Sequence, residues 1–135
     1  MADTTTTTTT IRIARTNTGA GPTLQQFADA TAACDGVSLV ELSPIEELEV
    51  CTRNTVYRIT VLSTTEARVL VQGGRYFPIQ SEVRLNGSTL GGSLLKVGWV
   101  GCGFCMEFMQ GTQRITTTRV REIRRVEHVA AQGLH

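Results

Sequence analysis

Aromatic residues are scarce in this chain of 135 residues: one Trp, two Tyr and four Phe. The expected core is therefore aliphatic, built from Val, Leu and Ile. Lysine is nearly absent, since twelve of the thirteen cationic side chains are Arg and only Lys96 is Lys. Histidine is confined to His128 and His135, so no imidazole stands in the body of the chain to act as a general base. No stretch approaches the roughly 20 apolar residues of a membrane-spanning helix. Met1-Ala2-Asp3 runs into threonines rather than an apolar signal segment. The expectation is a soluble, cytoplasmic protein with no membrane span, whose four cysteines stay reduced. No glycine loop opens a helix in the phosphate-cradling manner, because Gly91-Gly92-Ser93 precedes a strand-like run. With no catalytic set in view, the chain is not expected to be an enzyme, and no cofactor is expected.

The length suits one domain. Its net charge of +1 hides an asymmetry. Residues 1–50 hold Arg12 and Arg15 against seven acids, a balance of −5, and residues 51–135 hold eleven cations against five acids, a balance of +6. The halves are suited to attract each other in the folded chain, and the basic half is also suited to face a polyanion.

Four segments follow from the pattern: an extended or disordered Thr-rich arm over 1–20, a helix and short acidic connector over 21–50, a β-barrel over 51–128 and a tail over 129–135. In the arm, Thr4 to Thr10 are β-branched and extend at little cost. They lead into Ile11-Arg12-Ile13, which alternates apolar and polar, so the arm reads as a strand ready to add to a sheet edge. Thr23-Leu24-Gln25-Gln26 matches a capping box and predicts a helix over about 23–33, stopped by Gly36 as a left-handed cap. Val37–Leu42 predicts a short strand, and Ser43-Pro44-Ile45-Glu46 predicts a second capped helical turn ending near Glu49. Beyond it the period becomes two. Tyr57, Ile59 and Val61 share one face of a strand, and Ala67, Val69 and Val71 return beside it. Tyr76–Gln80 reads as a loop, Glu82–Leu85 as a short strand, and Asn86-Gly87 as a turn. Leu94–Phe108 holds one or two strands bent at its glycines, and Gln113–Thr118 another. Arg119–Val129 is either a tight turn with a closing strand or a short helix. The fold class is mainly β: a small SH3-like or Greek-key barrel of five to seven strands with one short N-terminal helix and an extended N-terminal arm.

Three features bear on function. The arm (Thr4, Thr10, Ile11, Ile13) suits assembly, with a protein partner or a homo-oligomer. Arg114, Arg119, Arg121, Arg124 and Arg125 gather positive charge near the C-terminus and form a candidate polyanion face, as for nucleic acid, although Glu122 and Glu127 dilute it and stacking aromatics are few. Cys102-Gly-Phe-Cys105 is a CxxC in a glycine-rich β-stretch without a second ligand pair, so buried inert thiols are favoured over metal or redox chemistry.

Two resemblances add to this. Asn86-Gly-Ser88-Thr-Leu-Gly91 resembles the [DN]-x-S-x-x-G motif of PilZ domains, small barrels that bind cyclic di-GMP. That resemblance implies an upstream arginine pair on the phosphates, for which Arg53 and Arg58 stand five apart rather than four. Thr55 to Val126 resembles small SH3-like barrels of uncharacterised bacterial proteins, through Tyr57-Arg-Ile-Thr-Val, Gly98-Trp-Val-Gly and Ile115-Thr-Thr-Thr-Arg-Val. It implies a fold and no activity.

Overall fold

The computed structural model describes the backbone of Ile11–Ile13 together with residues 23–90 and 94–126. Strand β1 (Ile11–Ile13) precedes helix α1 (Leu24–Ala33). The helix starts where its cap predicts: Thr23 Oγ1 accepts the Gln26 N–H at 3.1 Å and the Thr23 N–H donates to Gln26 Oε1 at 2.9 Å. Phe27 and Thr31, one turn apart, are its buried residues. Cys34 ends it in an extended conformation that leads directly into β2 (Gly36–Ser38). Gly36 is thus not the left-handed cap that the sequence predicts. It is needed for space, because a Cβ there would lie 2.3 Å from the Trp99 ring.

The strand predicted over Val37–Leu42 is cut short by a 3-10 turn at Leu39–Glu41. The helical turn predicted at Ser43–Glu46 is also corrected. Glu46 accepts the Ser43 N–H on its carboxylate at 3.0 Å, as a capping box requires, but the chain then turns outward instead of winding on. The Ile45 N–H donates to Val61 O at 2.7 Å and the Val61 N–H to Glu46 O at 2.9 Å, which draws the segment onto a sheet. Strand β3 (Glu47–Thr52) follows, with Leu48, Val50 and Thr52 buried. Its alternation with Glu47, Glu49 and Cys51 is a period-two signal inside what reads as an acidic connector.

Strands β4 (Val56–Ser63), β5 (Arg68–Gly73), β6 (Phe77–Thr89), β7 (Leu94–Val97), β8 (Trp99–Gly101), β9 (Cys105–Gln110) and β10 (Gln113–Val126) complete the described residues. The large sheet runs β1-β7-β6-β5-β4-β3-β10-β9, and a further β6–β9 pairing closes β6, β5, β4, β3, β10 and β9 into a ring. This is the mainly β, barrel-like fold with a short helix that the pattern predicts. Two long strands make the closure. The first part of β6 pairs with β5, and its last part with both β7 and β9. The first part of β10 pairs with β9 and the rest with β3, with register shifts where it changes partner. Asn86-Gly87 is therefore not a turn but lies inside β6, and Phe77–Gln80, after a turn that includes Tyr76, opens β6 at a register shift rather than forming a loop. Of the two readings of the tail the closing strand holds, since Arg119 to Val126 continues β10 onto β3, but no turn precedes it and there is no helix over these residues.

Two cores result. The barrel interior is filled by Leu48, Val50, Ile59, Val61, Val69, Val71 and Leu85 around Phe77 and Phe108. A second cluster joins Phe27 of the helix to Leu94, Trp99 and Phe104. The purely aliphatic core expected from composition is corrected here, since all four Phe are buried. Phe104 stands edge-on to both Phe27 (5.8 Å) and Trp99 (5.5 Å), so three of the seven aromatics gather where the helix docks.

Candidate functional site

Strand β7 has β6 on one side and β1 on the other. Ile11, Arg12 and Ile13 stand opposite Lys96, Leu95 and Leu94 in an antiparallel register. Leu94, Leu95 and Lys96 are all buried, at 4%, 7% and 7% exposure. A strand so deeply set would present open N–H and C=O groups along its outer edge were β1 absent. Of the assembly residues named from the sequence, Ile11 and Ile13 lie in this added strand, and Thr4 and Thr10 lie outside the described residues. The approach of β7 to β6 depends on Gly87, whose φ is +144° and whose Cβ, if present, would lie 2.0 Å from Lys96 O. Beside it Ser88 Oγ donates to Trp99 O at 2.6 Å. Lys96 Nζ sits 4.1 Å from the centroid of the Trp99 ring, and burial pushes its amine pKa down. The sequence pattern marks Lys96 only as a rare charge; its three-residue spacing from Trp99 across Gly98 is the signal that places it.

Two of the five candidate polyanion residues are taken by acids of the same chain. Arg124 is paired with Glu49, and Arg125 Nη2 lies 2.8 Å from Glu46. Arg58 Nη2 approaches Glu49 at 3.6 Å. The Glu46 pKa is lowered first by the Ser43 N–H and then by Arg125. The acidic segment and the basic tail therefore meet across the β3–β10 pair, which answers part of the charge asymmetry within the chain itself. Arg114, Arg119 and Arg121 are exposed and make no ion pair among the described residues. They are strung along β10, with Arg114 opposite Met109 and Arg119 opposite Cys105.

The residues of the PilZ-like motif are not gathered. Asn86 Nδ2 donates to Glu107 Oε2 at 3.0 Å, and Ser88 is fully buried with its hydroxyl committed to Trp99 O. Arg53 lies after β3, Arg58 is opposite Gln72 of β5, and Gly91 is outside the described residues. Asn86 follows Arg84, which faces Arg68 at the other end of β5, so the arginine pair and the motif stand at opposite ends of the hairpin.

All four cysteines are free. Cys34 packs on the helix-docking cluster, whereas Cys102 packs on the barrel core. The Cys102 pKa is raised by burial first and by the charges of Asp35, Cys34 and Glu122 after it, and burial likewise raises Cys105. A nucleophilic CxxC needs the opposite shift. Among the described residues no group of three or more His, Cys, Asp or Glu is arranged to hold a metal ion. Cys102 opens on a half-open cavity of about 290 Å³ lined also by Asp35, Val37, Arg121, Glu122 and Ile123. Its Arg121 is the residue at which the β10 register slips.

No described helix is long and apolar enough to cross a membrane. Comparison with protein-family models, with curated proteins and with solved structures finds no match for this chain, so neither the SH3-like nor the PilZ-like resemblance is supported by a relative.

Proposed function

We propose that this protein is a non-enzymatic assembly subunit: a small SH3-like barrel whose N-terminal arm, which pairs with its own β7 in the isolated chain, supplies its strand to the β7 edge of a neighbouring protein copy in the assembly. One observation supports the reading above others, the antiparallel addition of Ile11–Ile13 to Leu94–Lys96. The same backbone pairs form whether strand and edge belong to one chain or to two, so exchange costs little beyond association. Residues 14–22 connect β1 to the Thr23 cap. A span of that length reaches roughly 30 Å when extended, enough to cross to a neighbour. For an isolated chain the short tether favours its own edge. Where copies are already held side by side, the two edges compete on similar terms. A cytoplasmic setting, where thiols stay reduced, belongs to the same reading.

The test is deletion of residues 1–16, with mass measured by light scattering behind size exclusion and folding checked by circular dichroism. The expected result is a folded barrel of lower assembly mass than the full chain. An unchanged mass overturns the reading.

A further inference from the structure

Among the described residues six large apolar side chains are exposed: Leu24, Val40, Ile45, Val56, Tyr76 and Ile79. All but Leu24 fall at two places on the barrel. The first is the connection 39–46, where Val40 is 80% and Ile45 73% exposed beside exposed Glu41. The second is a rim made by two turns packed together. There Val56 (51%), Tyr76 (47%) and Ile79 (71%) flank exposed Arg53 and Arg75. The two turns are close because Gly73 and Gly74 leave no room between them: a Cβ at Gly73 would lie 2.4 Å from Val56 O, and one at Gly74 2.9 Å from the Thr55 side chain.

Ile45 marks the first place as unusual. Its φ is +74°. A β-branched residue in the left-handed region is a steric outlier, and glycine or asparagine would take that turn without strain. Hydrogen bonds from the Ile45 N–H to Val61 O and from the Val61 N–H to Glu46 O hold the backbone there. The chain thus keeps a strained position in order to carry an apolar side chain into solvent, and neither burial nor turn chemistry explains it. Retained strain of this kind is a pointer to use.

The two places complement each other. Segment 39–46 contains Glu41 and Glu46 and no cation, and Glu46 is taken by Arg125. Segments 53–56 and 73–80 contain Arg53 and Arg75 and no acid. Glu41, Arg53 and Arg75 make no ion pair among the described residues. Within one molecule the places cannot meet. Ile45 is fastened at Val61, five residues along β4 from Val56, or about 17 Å at the rise of a strand.

We infer that the Val40/Glu41/Ile45 knob of one copy docks on the Val56/Tyr76/Ile79 rim of a second copy, with Glu41 facing Arg53 and Arg75. The contact is heterologous, so it builds rings or open chains rather than closed pairs. It deepens the assembly reading and does not use the arm. It would hold copies side by side, the condition under which an arm reaches a neighbour's edge.

The experiment uses two full-length variants: a knob variant (Val40→Ser with Ile45→Gly) and a rim variant (Tyr76→Ser with Ile79→Ser). The wild type is expected to gain mass with concentration in sedimentation equilibrium. Each variant alone should associate at least ~10-fold more weakly, a difference of about 1.4 kcal/mol. Mixed in equal amounts, they should form dimers that grow no further, because each retains the half that the other has lost. Ile45→Gly alone should melt no lower than the wild type, since it relieves the turn, which separates lost docking from lost folding. A wild type that stays monomeric at every concentration, variants of wild-type mass, or a mixture without dimers each overturns the inference. Both variants keep residues 1–16, so their complementation reports on this contact alone, and the arm deletion reports on the arm alone.

Discussion

Gly87→Ala tests how the edge that receives the arm is built. The substitution places a methyl group 2.0 Å from Lys96 O, 2.9 Å from Lys96 C and 3.0 Å from Gly98 N. Ordinary contact begins near 3.4 Å, so the backbones of β6 and β7 must part by more than 1 Å. Backbone cannot swing aside as a flexible side chain does. The pairs Gly87–Val97, Ser88–Lys96 and Thr89–Leu95 would loosen, together with the 2.9 Å bond from the Gly98 N–H to Asn86 O. The φ of +144° adds strain of about 1–3 kcal/mol for a residue with a Cβ. Overpacking adds about 1–3 kcal/mol more. A loss of roughly 2–6 kcal/mol is expected, a large share of the roughly 5–15 kcal/mol of a typical domain. The control is Gly111→Ala, where φ is +61° and nothing lies within 4 Å of the added methyl. It carries the left-handed cost alone, about 1–2 kcal/mol. Urea unfolding with linear extrapolation measures both. Amide exchange at Leu95 and Lys96 should also quicken in Gly87→Ala. Equal losses in the two variants, within about 0.5 kcal/mol, would refute the argument that the β6–β7 approach demands glycine.

Lys96→Met should stabilise the protein at pH 7 by ~1 kcal/mol, because its stem still packs on Trp99 and removal of a buried charge outweighs the cation–π contact that is lost. Burial lowers the folded-state pKa of Lys96 below its ordinary 10.5, so between the two the unfolded chain binds more protons and stability rises with pH. The variant should lose that alkaline rise in pH-dependent melting, and a variant that keeps it contradicts the assignment. The Glu46 pKa is lowered as well, from 4.5, by the Ser43 N–H and then by Arg125. Its contribution is present above 4.5 and is lost as the pH falls through the lowered pKa. Glu46→Gln should flatten that acid limb while costing under about 1 kcal/mol at pH 7, and an unaltered limb in acid titration rejects the account. Cys102 and Cys105, both raised above 9.0, should react slowly with a chromogenic disulfide at pH 7 and faster as the pH rises toward and past 9. A fast phase at pH 7 would contradict that shift.

Local chemistry was legible where one element settles its own conformation. The Thr23–Gln26 box closes as written, and Tyr57, Ile59 and Val61 alternate with Arg58 and Thr60 on β4. Non-local pairing overrode local signals elsewhere. Ser43–Glu46 carries half a capping box, yet Val61 takes up Ile45 and Glu46 and turns the segment toward β3. Asn86-Gly87 is a turn dipeptide by propensity, but the same glycine lets Lys96 O approach and so serves inside a strand. The three-residue spacing of Val120, Ile123 and Val126 obscured β10, because a register slip at Arg121 breaks its alternation. The site was legible in part. The strand-competent arm follows from Ile11-Arg12-Ile13, but its receiving edge joins residues more than eighty positions apart, which no local pattern reports. The knob and rim escape sequence reading for the same reason. The sequence places Ile45 in a capped turn and Tyr76 in a loop, and the fold then leaves both side chains exposed.

The central claim is that the arm adds its strand to the β7 edge of a neighbouring copy. A photo-crosslinking residue in place of Arg12, the centre of β1, would capture whichever β7 it pairs with. The measurement is mass spectrometry of the crosslinked peptides from an equal mixture of unlabelled and ¹⁵N-labelled chains, allowed to exchange before illumination. The account predicts arm–β7 peptide pairs of mixed isotope in amounts comparable with the unmixed pairs. Crosslinks found only within chains of one isotope would show that every arm stays on its own barrel, and would contradict it.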